Sequence, residues 1–356
     1  MTVPSAASAT TAVTTTAVTT VARLRHQRGR RRRAVILGLV GAVLVALALN
    51  VLVGQTFYSP AEVMAVVLGQ DAGGATFTIG RLRLPRAILG AIVGLSFGLA
   101  GVAFQTMLRN PLASPDIIGI SAGSSAAAAF AIVMLGLSGF AVSAFAIIAG
   151  LLVALLIYLL SSRSGSAGTR LILIGIGIAA MLDALTQYVL SQAGQWDLQE
   201  ALRWLNGSLN GATWNEVITA GVALLVIAPV LLSRSRDLAA LQLGDDTAAA
   251  IGTRVARTRL IVVVTAVSLI AFATATTGPI AFVAFLSGPI AARVIGPRGS
   301  LLIPSALIGA LLVLVADFVG QYALGIRYPV GIVTGVLGAP YLLYLIIRTN
   351  RAGGSL

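Results

Sequence analysis

Three aspartates in or beside apolar segments are the side chains that could do chemistry inside a membrane. Asp183 lies within the apolar residues 171–190, Asp317 near the end of residues 301–319, and Asp116 just before a third run. A proton- or sodium-coupled carrier uses a carboxylate of this kind near mid-membrane, often beside a basic partner. Asp183 is the candidate for that role. Because no Arg or His lies near it inside an apolar segment, a hydrogen bond between helices is the competing interpretation.

The residue types that most often carry catalysis or bind metals are nearly missing. The chain has no cysteine and no lysine, and its single histidine, His26, lies in an arginine-rich segment. A thiolate or histidine metal site is therefore not expected. The sequence contains no P-loop, dinucleotide fingerprint, HExxH or GxSxG motif. It predicts a protein that is not an enzyme and has no cofactor of its own, so any ATP and magnesium must bind to another chain.

All 24 basic residues are arginine, and their positions predict an orientation in the membrane. They give a net charge of +13 but flank apolar runs, which is typical of membrane proteins and argues against nucleic-acid binding. With ten spans and the N-terminus inside, 19 of the 24 arginines lie on the inner side. Those outside anchor lipid phosphates or pair with acidic residues of an extracytoplasmic partner. The outer arginines are Arg81, Arg83, Arg86, Arg203 and Arg327.

Membrane spans are the elements that must position these residues. The 356 residues are 58% hydrophobic and 10% charged, with a mean hydropathy of +0.97. Runs of about 20 apolar residues are long enough to cross the hydrocarbon core. We predict an all-α membrane protein with ten transmembrane helices and both termini in the cytoplasm. The predicted spans are residues 34–53, 87–107, 117–137, 141–160, 171–190, 217–232, 260–277, 280–295, 301–319 and 330–347.

Composition divides the chain into three segments. Residues 1–33, a polar Ala/Thr/Val/Ser tract followed by arginines, predict a disordered cytoplasmic tail. Residues 34–348 predict a ten-span membrane domain, and residues 349–356 a second cytoplasmic tail.

Two features of the spans predict how they pack. Glycine recurs among small residues, as in residues 90–94, 98–101 and 175–177, and small residues let helices approach closely in lipid. The span 280–295 contains Pro289. We therefore expect a bent helix there that its neighbours support.

The outer segment 196–215 is long enough to fold. Its three tryptophans suit the headgroup region of a bilayer. The sequence predicts a short interfacial helix over residues 198–205, which Asn206 and Gly207 end.

The inner segment 234–259 is the second one of sufficient length. Asp245, Asp246 and Thr247 predict the N-cap and acidic first turn of a short helix, and Gly252 is placed to end it. From these residues alone, an ordinary solvated loop and a docking element for a cytoplasmic partner both remain open.

Seven motifs follow one another in an order that resembles a known family. They are RLPR at 83–86, RNPLASPDIIGISAGSS at 109–125, TRLILIGIGI at 169–178, WLNGSLNGATW at 204–214, LQLGDDTAAAIGTRVARTR at 241–259, GPIAFVAF at 278–285 and YPVGIVTGVLGAPYLLYLI at 328–346. This chain resembles the ten-span permeases of ABC importers for iron-siderophores, haem and cobalamin, the type II importers. The resemblance covers residues 34–348.

The resemblance implies an assembly in the bacterial cytoplasmic membrane. Two permease chains, identical or related, would pair around a central pathway above a cytoplasmic ATPase dimer. An extracytoplasmic binding protein would dock outside, at Arg83 and Arg86. The inner gate would lie at Gly168 and Thr169. The ATPase coupling helix would comprise Leu243, Gly244, Asp245, Asp246, Thr247, Ala250, Ile251 and Gly252.

The chain departs from the family pattern in three places. Gln321 replaces an arginine associated with binding-protein contact, and we expect Arg327 to take its role. Tyr328 stands where the family has an acidic residue. The segment SGPIAAR at 287–293 resembles ferric-siderophore members more than cobalamin ones. We therefore expect a permease subunit for ferric siderophores; haem or cobalamin import, or an ion-coupled carrier working without an ATPase, are the alternatives.

Overall fold

The computed structural model describes residues 6–114, 119–161, 167–296, 299–323 and 325–351. Every regular element in those ranges is helical. The helices are α1 Ala6–Leu52, α2 Pro60–Val67, α3 Gly74–Phe77, a π-helical segment Thr78–Arg83, α4 Leu84–Leu108, α5 Ile120–Val133, α6 Phe140–Ser161, α7 Ala167–Ser191, α8 Gln195–Leu205, α9 Trp214–Ser233, α10 Ser235–Leu241, α11 Asp245–Ala250, α12 Val255–Thr277, α13 Val283–Ile295, α14 Leu302–Tyr322 and α15 Val330–Arg351.

Apolar length accounts for the spans. Within the described ranges, seven helical segments are long and apolar enough to cross a membrane. Three shorter apolar helices, α5, α13 and the first part of α15, coincide with the remaining predicted spans. Helix is present in each of the ten predicted spans, so the all-α, multi-span fold class is confirmed.

The first helix begins earlier than the first predicted span. It runs unbroken from Ala6 to Leu52, through the segment for which the sequence predicted a disordered tail. Lengthening an existing helix costs much less free energy than nucleating one, and the alanines and arginines of this segment favour helix. Arg32 on this helix also donates to the carbonyl oxygen of Ser300, just before α14. Helix α1 therefore covers residues of both the predicted tail and the first predicted span.

Helix α4 is the centre of the bundle and is largely buried along its length. It packs on α9, α12, α13 and α14. A Cβ added to Gly98 would overlap the carbonyl oxygen of Ser305 on α14, and one added to Gly101 would overlap that of Ala284 on α13. The close packing predicted for these glycines is confirmed. Gly177 on α7, by contrast, faces open space.

Pro289 lies inside α13, which continues through it as the sequence predicted. Proline has no N–H, so the carbonyl of Phe285, four residues earlier, loses its partner within the helix. The buried side chain of Gln105 on α4 donates to that carbonyl oxygen at 2.9 Å. A neighbouring helix therefore supplies the bond that the proline removes.

Three glycines meet where the outer ends of α8, α12 and α15 come together. The short helix predicted over residues 198–205 is present as α8, and Gly207 follows it with φ +63°. The Ser208 amide donates to the Thr277 carbonyl at 2.6 Å, and the Gly331 amide to the Gly207 carbonyl at 3.0 Å. A Cβ on Gly278 would overlap the carbonyl oxygen of Trp204. We call Gly207, Gly278 and Gly331 the glycine junction.

The short helix α2 lies in the loop between the first two spans and carries a capping box. The Ser59 amide and hydroxyl both donate to the Glu62 carboxylate, at 2.7 and 2.8 Å. These bonds hold the pKa of Glu62 below its usual value, and the bond from the Ser59 backbone amide has the larger effect. The box fixes where this outer loop turns into helix.

Candidate functional sites

One cavity at the outer face brings together the three arginines that the sequence assigned to docking. Its volume is about 570 Å³, and Arg83, Arg86 and Arg327 all line it. Gln321, which stands where the family has an arginine, lines it as well. The arginines are far apart in sequence and adjacent in the fold.

The side chain of Arg83 ties the end of the first span to the second. Its guanidinium donates to the carbonyl oxygens of Val51 and Leu52, at 2.9 and 3.2 Å, and to that of Thr56 at 2.7 Å. It also lies over the ring of Tyr58, 4.9 Å from the centroid. Arg83 thus satisfies carbonyls at the C-terminus of α1 that would otherwise lack donors.

The side chain of Arg86 forms a two-pronged ion pair with Asp317 on α14. Its Nε and Nη2 donate to the two carboxylate oxygens at 2.8 and 2.7 Å. Asp317 is only 1% exposed and accepts a third bond, at 2.9 Å, from Gln321. Arg86 also donates to the side-chain oxygen of Asn210. Sequence reasoning missed this partner, although a carboxylate inside an apolar helix is a signal that a counter-charge is needed.

Arg327 differs from the other two arginines of the cavity. Its side chain is exposed and has neither a hydrogen bond nor an ion pair with a described residue. Three guanidinium groups against the single carboxylate of Asp317 leave the cavity positively charged. Such a site suits an incoming carboxylate, which accepts well from guanidinium groups. Arg81 is exposed too but does not line the cavity.

At the inner face, α10 and α11 form a hairpin beside the start of α12. Asp245 bridges two neighbouring segments, because it lies 2.8 Å from Arg259 of α12 and 3.9 Å from Arg109, which follows α4. Ala248 is fully buried beneath the hairpin. These contacts hold α11 on the bundle.

The predicted short helix is present, with a different N-cap. Gly244, at φ +103°, occupies that position, while Asp245 and Asp246 form the acidic first turn. The N-cap position has a positive φ, which glycine adopts easily and aspartate only rarely, so glycine and not aspartate occupies it. Gly252, at φ +93°, follows the helix as predicted.

The hairpin presents apolar side chains to the cytoplasm. Leu243, in the turn between α10 and α11, and Ile251, directly after α11, are 63% and 62% exposed. Asp246, Thr247 and Ala250 lie exposed between them. Large apolar side chains grouped on an aqueous surface mark a contact surface for another protein.

The predicted inner gate falls where the structure describes little. Gly168 and Thr169 belong to the first turn of α7, but their side chains lie outside the described residues.

Asp183 lies on the side of α7 that faces away from the helix bundle. It belongs to a stripe of side chains that no other described residue buries. Ile176, Ala180, Asp183, Gln187 and Ser191 recur every three or four residues and are all exposed. Asp183 has no hydrogen bond or ion pair with a described residue. Among the described residues, no group of three or more His, Cys, Asp or Glu side chains could hold a metal ion.

These features define a class of protein, a multi-pass membrane protein whose described elements are all helical. The chain belongs to the FecCD transport family, which it matches over residues 42–348. It is thus a transport permease subunit of the bacterial cytoplasmic membrane and not a catalytic enzyme.

Individual relatives match over nearly their whole length. The chain is 38% identical to the ferric enterobactin transport system permease protein FepG of Escherichia coli (strain K12), covering 90% of this chain and 98% of the relative. It is also 38% identical to the achromobactin transport system permease protein CbrC of Dickeya dadantii (strain 3937), covering 91% and 96%. A solved inward-facing structure of a metal-chelate type ABC transporter has a TM-score of 0.80 at 27% identity, covering 89% of this chain and 99% of that one.

Proposed function

We propose that this chain is the membrane subunit of an ATP-driven importer of ferric siderophores and works as a permease dimer. The observation that carries the proposal is the pairing of two contact sites on one bundle, an arginine-lined cavity outside and an exposed apolar hairpin inside. An importer of this kind needs both contact sites, because one partner protein delivers the substrate and another hydrolyses ATP. The names of the relatives support ferric chelates as the substrate class.

The outer cavity is the proposed docking site for the substrate-binding protein. Arg327 offers a free guanidinium there, whereas Arg83 and Arg86 each have partners within the chain. Acidic side chains of the binding protein would bind Arg327 directly. Arg83 and Arg86 contribute mainly by their positive field and by holding the walls of the cavity in place.

The inner hairpin is the proposed coupling element for the ATPase, which would bind the ATP and magnesium. Its exposed side chains offer the contact surface, and the bonds of Asp245 to Arg259 and Arg109 make it part of the bundle. A push on α11 would therefore reach α4 and α12.

The stripe on α7 supports a dimer. A carboxylate facing hydrocarbon costs several kcal/mol, about 3 on insertion scales. A second permease chain that covers this face, with water between the two copies, gives Asp183 a polar environment. Asp183 would then lie on the substrate pathway.

An ion-coupled carrier working alone is the second candidate, and Asp183 is the observation behind it. Its carboxylate lacks a basic partner among the described residues, so little supports a proton relay. Haem or cobalamin import keeps the same architecture; a cobalamin import permease of Halobacterium salinarum is 34% identical over 76% of this chain.

The deciding experiment places the permease in liposomes with an ATPase and a substrate-binding protein from the same organism. We expect uptake of radioiron-labelled ferric enterobactin or ferric citrate only when ATP is supplied. Uptake by the permease alone under a proton gradient, abolished by Asp183→Asn, would contradict the proposal. ATP-driven uptake of cobalamin or haem, with none of iron chelates, would keep the mechanism and change the substrate.

A further inference from the structure

A second cavity opens at the outer face, away from the arginine-lined one. Its volume is about 710 Å³. It lies between the outer ends of α6 and α9, and residues of α8 and of the C-terminal end of α12 also line it. Of all its lining residues, only Asn210 is shared with the arginine-lined cavity. Apart from Asn210, none of its lining residues belongs to the proposed docking or coupling sites.

Three charged side chains line this cavity, Glu200, Arg203 and Glu216. Glu200 and Arg203 are exposed on α8, three residues apart, yet neither forms an ion pair with a described residue. Both are therefore available to a ligand. Glu216 belongs to the capping box of α9, where one of its oxygens accepts from the Thr213 amide at 2.7 Å. The set carries one net negative charge.

The hydroxyl groups of the lining can accept hydrogen bonds but have little left to donate. Four of them already donate to backbone carbonyls, at 2.6 to 3.1 Å: Ser143 to Ala275, Thr219 to Asn215, Thr276 to Ala273 and Thr277 to Ala273. A hydroxyl has a single hydrogen but two lone pairs. Together with the two carboxylates, these oxygens make a cavity that favours a ligand rich in donors, such as a primary ammonium group.

The rest of the lining is apolar, which argues for a ligand with two unlike ends. Val142, Ile147 and Ile218 form part of the wall. Farther along the same two spans, Ile148 on α6 and Val222 on α9 are exposed to the surroundings. Tryptophan side chains favour the headgroup level of a bilayer. With α8 and its tryptophans at that level, the charged part of the cavity would adjoin the lipid headgroups and the apolar part the acyl chains.

We propose that this cavity binds a phospholipid with a primary-ammonium headgroup, of the phosphatidylethanolamine type. The ammonium group donates to Glu200 and Glu216, Arg203 binds the phosphate, and the acyl chains lie along α6 and α9. The proposal does not depend on which chelate the permease carries.

Native mass spectrometry of the full-length permease in detergent tests this site. Dioleoyl phosphatidylethanolamine is titrated against dioleoyl phosphatidylcholine, which has the same phosphate and acyl chains but no N–H donors. We expect about tenfold tighter retention of the ethanolamine lipid, as one or two charge-assisted hydrogen bonds provide. The variant Glu200→Gln/Glu216→Gln should lose that preference, and glutamine keeps the capping box of α9.

Asp197→Asn is the matched control, because it removes the same charge from α8 at a residue that does not line the cavity. It should keep the lipid preference. A titration with free phosphoethanolamine distinguishes a lipid ligand from a soluble headgroup. If the protein retains phosphoethanolamine but not the lipid, the proposal is overturned. Equal retention of both lipids by the unchanged protein overturns it as well. So does a double variant that keeps the lipid but loses the binding protein, which would make the cavity a protein contact.

Discussion

Arg83 and Arg86 flank Leu84 and Pro85 in one short motif, yet their guanidinium groups do different things. One closes the end of α1 by donating to backbone carbonyls, and the other is bound to Asp317 across the bundle. The motif predicted that both face outward, and both do line the outer cavity. Their partners could not be predicted, because Asp317 lies 231 residues from Arg86 and nothing local connects them.

The pair of Arg86 and Asp317 should be strongly coupled. Removing one member leaves a buried charge uncompensated, which costs about 3–5 kcal/mol. We expect Arg86→Leu and Asp317→Leu each to destabilise the protein by that order, and the double variant to cost clearly less than their sum. Chemical unfolding in mixed micelles, followed by circular dichroism, measures all three. Strictly additive losses would mean that the two side chains do not depend on each other.

Arg327 should act in docking without affecting stability. Because it is exposed and has no partner among the described residues, Arg327→Glu removes no internal bond and reverses a charge at the cavity. We expect affinity for the binding protein to fall by at least about tenfold, the size of a contact worth more than 1.4 kcal/mol, with thermal stability unchanged.

Arg81→Glu is the control for this docking experiment, since Arg81 is an outer arginine that does not line the cavity. Surface plasmon resonance on the permease in nanodiscs gives both affinities. An equal loss in the two variants would point to a general charge effect of the outer face.

At the scale of helices, apolar run length accounts for seven of the ten predicted spans within the described ranges, because the hydrocarbon core sets the minimum length. The other three predicted spans coincide with apolar helices shorter than that minimum. The sequence predicted that neighbouring helices support α13, but not which residue does so. Pro289 signals a missing bond in any sequence, while Gln105, 180 residues from Phe285, can be identified only in the folded chain.

Gln105→Leu should leave the Phe285 carbonyl buried without a donor, at a cost of about 1–3 kcal/mol. Pro289→Ala restores an N–H within α13. We therefore expect Gln105→Leu/Pro289→Ala to be more stable than Gln105→Leu alone. Unfolding in mixed micelles measures this rescue. As a control, Pro229→Ala in α9 should give none, and rescue by it would remove the specific role of Gln105.

The hairpin of α10 and α11 should bind the ATPase through the exposed side chains of Leu243 and Ile251. Ile251→Glu puts a charge on that surface without touching the buried Ala248, so we expect ATPase co-purification and ATP-driven uptake to fall at least about tenfold while folding is kept. Ala256→Glu, at an exposed residue in the first turn of α12, is the matched control. A protein that couples normally with Ile251→Glu would exclude this surface.

At the scale of the whole molecule, burial is uneven: α4 is enclosed by other helices, while α7 is mostly exposed. Sequence hydropathy treats both as ordinary spans. The difference becomes visible only when the helices are packed, since it depends on which neighbours each one has. The need for a second chain was accordingly implied by resemblance and not by the residues of α7.

A cysteine in place of Asp183 should react with water-soluble methanethiosulfonates in the assembled importer. The chain has no cysteine of its own, so a single substitution gives a clean label, and a face on an aqueous pathway supplies the thiolate that reacts. We expect Leu225→Cys, on the exposed side of α9, to stay unlabelled because it faces lipid. Equal protection of both cysteines would place α7 against hydrocarbon and contradict the dimer as described.

The glycine junction has a mechanical consequence. It fastens the outer ends of α8, α12 and α15 by backbone contacts that no side chain can loosen. Any tilt of α12 therefore pivots at its outer end, and its 23 residues make a lever of about 35 Å. A rotation of only about 5° would carry the cytoplasmic tip of that lever about 3 Å. In such a tilt the cytoplasmic end of α12 moves much farther than its outer end, which the glycine junction holds in place.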